Sequence, residues 1–163
     1  MSAEDLAKTE VSTVEELKKY IGQEVSVGQW VLITQEMVNA FADATGDHQF
    51  IHVDPERAKQ TMFGGTVAHG YFTLSMLAGY LSKDSIGLKV KLGGKMAVNY
   101  GLNKVRFVAP APVGKRLRVH RKLIAVEESP DKRWVQITNE ATVEVEGSDK
   151  PAVVAETIGR TYF

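Results

Sequence analysis

The stretch from Gly70 to Leu81 constrains the fold more than any other part of the chain. Tyr71, Phe72, Leu74, Met76, Leu77, Ala78, Tyr80 and Leu81 cover every side of a helix drawn through it. A helix that is apolar all round is a buried helix. The apolar run, from about Ala68 to Leu81, is too short to cross a bilayer, which takes about 20 residues. The rest of the chain must therefore wrap it.

The C-terminal half of the chain is strand-like. Met96, Val98, Tyr100 and Leu102 put apolar residues at even positions, and Val105 and Phe107 continue at odd ones. A phase slip of one residue inside one strand predicts a β-bulge near Gly101 to Lys104. Leu117, Val119, Leu123 and Ala125 alternate with Arg116, Arg118, His120 and Lys122, and Val135, Ile137, Ala141, Val143 and Val145 alternate with polar partners. Val153 to Tyr162 reads as a last strand, and Ser129-Pro130-Asp131 and Gly147-Ser148-Asp149 mark hairpin turns. Ahead of the apolar run, Ser12-Thr13-Val14-Glu15-Glu16 carries a capping-box pattern that opens a short helix ending near Gly22. Gln29 to Ile33 reads as a strand. Thr34 caps a helix to about Thr45, with Met37, Val38, Phe41 and Ala44 on one face and Gly46 ending it. A loop of roughly twenty residues, Asp47 to Ala68, comes next; loops that long are usually functional or disordered. Phe50, Ile51, Val53, Met62, Phe63 and Val67 argue against disorder. Helices followed by antiparallel strands make the class α+β.

A chain of 163 residues suits one domain. Residues 1–11 read as a flexible N-terminus and 12–163 as the domain. Lys and Arg together number 20, as do Asp and Glu, so nothing points to nucleic acid or to a polybasic membrane surface. Without cysteine there is no disulfide, thiolate metal site or thiol nucleophile. The polar start lacks the pattern of a signal peptide. A cytoplasmic protein without a membrane span is expected. Gly93-Gly94 lacks dinucleotide-loop context. No nucleophile elbow surrounds Ser75. The four histidines show no metal-ligand spacing, so no metal and no separate cofactor are expected. Met37, Met76 and Met96 read as core, and His48 and His120 as exposed.

The chemistry lies in Phe41-Ala42-Asp43-Ala44-Thr45-Gly46-Asp47-His48-Gln49-Phe50-Ile51-His52-Val53-Asp54-Pro55, where a helix gives way to the apolar loop. Asp47 and His52, five apart across an irregular turn, can converge on one small molecule and share a water as an acid–base pair. On spacing alone the structural reading comes first: Asp47 closes the helix end and His52 fills a core position. Asp54-Pro55 reads as a turn and helix start.

Three segments carry a family resemblance. Thr45-Gly46-Asp47-X-X-X-Ile51-His52 resembles the hydratase motif of the MaoC-like (R)-specific enoyl-CoA hydratases. Ala68-His69-Gly70 resembles that family's second motif. Asn99-Tyr100-Gly101-Leu102-Asn103-Lys104-Val105-Arg106-Phe107 resembles the branch near nodulation protein N. The similarity runs from about Thr13 to Phe163 and looks nearest to hydratases that supply polyhydroxyalkanoate synthesis. It implies a hot-dog fold, an antiparallel sheet wrapped around a central helix. It also implies addition of water to C3 of a short- to medium-chain trans-2-enoyl-CoA, giving the (R)-3-hydroxyacyl thioester.

In that mechanism Asp47 and His52 polarise the water, and the Gly70 N–H receives the developing thioester oxyanion. A helix N-terminus offers unpaired N–H groups and a positive dipole end for this. Gln49, Phe50, His69, Tyr71, Asn99 and Arg106 are the expected substrate-binding residues, although His69 by itself reads as a hydrogen-bonded structural imidazole. Gln49-Phe50 stand where the family pattern has Asn-Pro and bear on the shape of the acyl pocket. A bulge beside Arg106 would re-aim its side chain toward the CoA phosphates. CoA enters as part of the substrate, and a homodimer is expected. A hot-dog thioesterase and a non-catalytic acyl-thioester binder are the alternatives.

Overall fold

The apolar run needs a wrapper, and four long strands provide it. In the computed structural model, which describes residues 2–163, these are β6 (Met96–Phe107), β7 (Arg116–Glu128), β8 (Trp134–Val145) and β9 (Val153–Tyr162). The helices are α1 (Val14–Lys18), α2 (Gln35–Thr45), α3 (Phe50–Val53), α4 (Pro55–Ala58) and α5 (Gly70–Ser75). Short strands β1 (Glu10–Val11), β2 (Glu24–Val27), β3 (Val31–Leu32), β4 (Ile86–Gly87) and β5 (Lys89–Val90) complete the set. The large sheet runs β4-β2-β7-β8-β9-β6, antiparallel throughout, with β3 also on β7. Phe72, Met76, Leu77 and Leu81 pack into one core with Leu117, Val119, Ala141, Val143, Val153 and Ala155. These strand residues alternate inward, so one face of the curled sheet lies on α5. This is the hot-dog arrangement.

The expected bulge in β6 is present, and it is double. Pairing with β9 slips between Asn99 and Gly101 and again between Asn103 and Arg106, where Lys104 takes φ 50°. Because paired residues share a face, Met96 and Val98 point outward while Leu102 and Phe107 point toward α5. The slip thus hands the apolar row from one face to the other. A second slip between Leu123 and Ala125 in β7 turns Val126 inward in place of Ala125.

Several expectations need correction. The helix at Gly70 is shorter and less enclosed than its composition predicts. Six α-helical residues pass into a 3-10 turn at Met76–Ala78, and Tyr71 and Tyr80 are 69% and 63% exposed. Gln29–Ile33 yields only β3, and Glu24–Val27 forms a strand that the pattern did not reveal. On α2 the buried positions are Val38 and Ala42, one helical turn apart, rather than Ala44. The segment 47–68 contains α3 and α4. Met96 is exposed, and His120 is half-buried between Glu24 and Glu144.

Residues 2–11, expected to be flexible, carry three buried side chains. Ala3, Leu6 and Val11 are buried, and β1 pairs with β5 in parallel. The apolar side chains at 3, 6 and 11 fill space beside the sheet that polar neighbours obscure in the sequence. The capping box at Thr13 and Glu16 forms as expected. No described helix is long and apolar enough to cross a membrane.

Gly28 lies where β2 passes the end of the α5 segment, and a Cβ there would collide with the Leu81 carbonyl oxygen. Gly28→Ala should destabilise the fold by roughly 1–3 kcal/mol, the usual cost of overpacking. A denaturant midpoint unchanged from wild type would contradict this placement.

Candidate active site

Gly46 takes the left-handed conformation at φ 79° and ends α2 with its N–H on the Ala42 carbonyl. The chain turns there, and Asp47 begins the path to α3, which carries His52. The Val67 N–H donates to the Ile51 carbonyl at 3.0 Å, and the Ala68 N–H to the Ala111 carbonyl at 2.8 Å. The first bond brings α3 against the strand-like approach to α5, and the second ties that approach to the segment before β7. Ligand-capable atoms of Asp47, His52 and His69 consequently lie within 4.8 Å of one another.

The hydrogen bonds fix both imidazoles. His52 Nδ1 lies 2.6 Å from the Val67 carbonyl oxygen, and His69 Nε2 lies 2.9 Å from the Asp47 carbonyl oxygen. A carbonyl only accepts, so each of these nitrogens carries its proton. In the neutral rings this leaves lone pairs on His52 Nε2 and His69 Nδ1. His69 Nδ1 is buried without a hydrogen-bond partner among the described residues. The rings stack with centroids 3.8 Å apart, and Phe41 packs on His69 at 5.1 Å. Both histidines are buried and Asp47 is exposed. The arrangement sets a solvent-facing carboxylate beside a fixed imidazole, a pair that can hold and polarise a water. Asp47, His52 and His69 could also hold a small cation by donor type, which the sequence spacing did not foretell.

His69 is the N-cap of α5 and makes no side-chain cap bond. The first N–H groups of a helix have no intrahelical acceptor, so those at Gly70 and Tyr71 can receive a developing negative charge. With only six α-helical residues the dipole is small, and the N–H groups carry the effect. Phe107 closes over this end, and a Cβ on Gly70 would fall 2.8 Å from its ring. Glycine is required at this close approach.

The other expected residues are scattered. The Gln49 N–H reaches Asp47 Oδ1 at 3.4 Å, while Phe50 lies under the Arg57 guanidinium at 4.3 Å. Tyr71 meets Phe107 edge-on at 5.5 Å. Asn99 lines a cavity of about 880 Å³ farther along the α5 segment, whose lining residues do not include Asp47 or His52. Arg106 pairs with Val154, points away from α5, and donates to the Val105 carbonyl. His48 is exposed and bonded to Asp43, which raises its pKa above the ordinary histidine value.

Residues 16–145 match the model of the MaoC like domain family. The chain belongs to the MaoC-like dehydratase family. It is 54% identical over 148 residues to 3-hydroxyacyl-thioester dehydratase Z of Mycobacterium tuberculosis, covering 91% of this chain and 95% of the relative. It is 40% identical over 144 residues to nodulation protein N of Rhizobium leguminosarum, covering 88% and 87%. Its fold matches the (R)-hydratase from A. caviae involved in PHA biosynthesis at a TM-score of 0.63, with 24% identity and coverage of 85% and 94%.

Within this MaoC-like frame, Gln35 is a site residue that sequence reasoning missed. Its amide donates to the His52 carbonyl at 2.7 Å and accepts from the Thr66 hydroxyl at 2.6 Å. It ties α2 to both sides of the site. A glutamine just after an N-cap gives no sequence signal for this. Gln35→Leu should lower stability by roughly 1–3 kcal/mol, since two partly buried groups lose their partner, and should reduce turnover. Wild-type melting temperature and turnover together would show that Gln35 does not brace the site.

Proposed function

We propose that this MaoC-like dehydratase is an (R)-specific enoyl-CoA hydratase, acting reversibly on short- to medium-chain thioesters. One observation carries the reading. The Asp47 carboxylate and the His52 imidazole, held in the tautomer that leaves Nε2 bare, lie within 4.8 Å of one another and adjoin the uncapped N-terminus of α5. Water held by the pair adds to C3 of a trans-2-enoyl thioester. A proton returns to C2 on the same face, and the Gly70 N–H steadies the thioester oxygen as negative charge develops on it. Nothing beyond the CoA of the substrate is required as cofactor. The cysteine-free chain fits the cytoplasm.

The working form in this reading is a homodimer. β6 is the last strand of the sheet, and ten of its twelve residues are exposed in the single chain. Among the described residues its outer edge has no partner strand. Met96, Tyr100, Leu102 and Phe107 on β6 are 46–56% exposed. A long apolar edge is an aggregation hazard unless something covers it, and a second copy does so by twofold symmetry. Sedimentation should give a dimer at micromolar concentration; a monomer would contradict the assembly.

The activity test is loss of conjugated-enoyl absorbance with crotonyl-CoA and a medium-chain enoyl-CoA, followed by an (R)-specific dehydrogenase. Asp47→Asn and His52→Ala should each lower the rate by roughly 10²-fold or more. Free CoA release without hydration would replace the hydratase reading with a thioesterase.

A further inference from the structure

The cavity beyond the active site holds a charge that the hydration chemistry does not use. Leu74, Leu77 and Ile137 give it apolar walls, and Ser82, Asn139 and Arg121 give it a polar end. Arg160 also borders the cavity, but its guanidinium stacks on Trp134 at 4.2 Å and donates to Gln136. Pairing places Arg160 opposite Gln136 and Val98, on the outer face of the sheet. Arg121 pairs with the buried Ala141 and so points inward. Among the described residues, Arg121 is the one charged side chain facing this cavity, and no carboxylate borders it.

Arg121 is only partly used by the protein. One terminal nitrogen donates to the Leu77 carbonyl at 2.9 Å and to the Ser82 hydroxyl at 2.7 Å. Arginine has five donors in a planar fork, and no other side-chain bond from it is present among the described residues. Burial pulls its pKa below the ordinary arginine value, a sign of desolvation without a compensating anion. The Asn139 side-chain amide, on the same inward face, likewise makes no hydrogen bond among the described residues.

We propose that this cavity receives the far end of the acyl chain and that Arg121 selects chains ending in a carboxylate. This rests on the hydratase reading. The α5 segment links the two places: the thioester sits at Gly70, and Arg121 is anchored at Leu77. Seven residues at a rise of about 1.5–2.0 Å each span roughly 10–14 Å. An extended carbon chain advances about 1.25 Å per bond, so about ten carbons span roughly 11 Å and reach from one to the other. Apolar walls accept the methylenes, and the guanidinium pairs with the terminal carboxylate through the donors it has left.

The test compares trans-2-enoyl-CoA thioesters of about ten carbons, one ending in methyl and one in carboxylate. Crotonyl-CoA, too short to reach Arg121, monitors the hydration chemistry itself. Wild type should favour the carboxylate-ended chain in kcat/KM by roughly ten- to a hundredfold, the range of a charge-assisted hydrogen bond. Arg121→Gln, which keeps a donor for Leu77 and Ser82, should abolish that preference and leave crotonyl-CoA turnover unchanged; Arg121→Lys should keep part of it.

Equal or better use of the methyl-ended chain by wild type overturns the proposal. So does an equal loss on all three thioesters in Arg121→Gln, which would make the side chain a brace for the end of the α5 segment. Pantetheine thioesters form the last arm. If Arg121→Gln weakens CoA thioesters but not their pantetheine counterparts, the guanidinium meets a CoA phosphate, and the acyl assignment fails. If crotonyl-CoA is not hydrated at all, it is the hydratase reading that falls.

Discussion

Two imidazole N–H groups donated to main-chain carbonyls organise the functional end of this molecule. His52 is bound to Val67, on the approach to α5, and His69 is bound to the backbone of Asp47, just after α2. Each bond crosses between the two segments that meet at the site. Together they stack the rings, fix their tautomers and leave lone pairs for a ligand. A main-chain acceptor on one ring nitrogen keeps the imidazole aligned and fixes which nitrogen faces a ligand. Loss of either bond would free a ring and separate the carboxylate from the helix start.

The sheet makes that arrangement durable. It wraps α5 from the Phe107 end to the Ala97 end, so one short helix borders two compartments: N–H groups and the Asp47–His52 pair at its start, and a cavity along its later residues. The double bulge in β6 makes this possible. It turns Leu102 and Phe107 inward while leaving Met96 and Val98 on the outer side. An unbulged strand would keep one phase and could not serve both faces.

Much of this was legible in the sequence because the signals were local. The capping box at Thr13, the N-cap at Thr34, the αL glycine at Gly46 and the phase slip in 96–107 each state their geometry within a few residues. Asp47 and His52 were legible as a pair through family resemblance, since spacing alone left a structural role open. The misses were non-local. Tyr71 and Tyr80 made the 70–81 run look enclosed, but the single chain leaves both exposed. Leu6 gave no sign of the space it fills. The grouping of His69 with Asp47 and His52 depends on a turn between α3 and α5. Arg121 did leave a trace: it interrupts the inward row Leu117, Val119, Leu123, where a third apolar residue is expected. Only the cavity gives that interruption meaning.

Everything proposed for the site turns on syn addition of one water, held by Asp47 and His52, across the enoyl double bond. Hydration of crotonyl-CoA in deuterium oxide, with the product read by NMR, tests that step without intermediaries. Syn addition predicts (R)-3-hydroxybutyryl-CoA carrying a single deuterium at C2 on the face that received the hydroxyl. Deuterium on the opposite face, or an (S) or racemic alcohol, would contradict it.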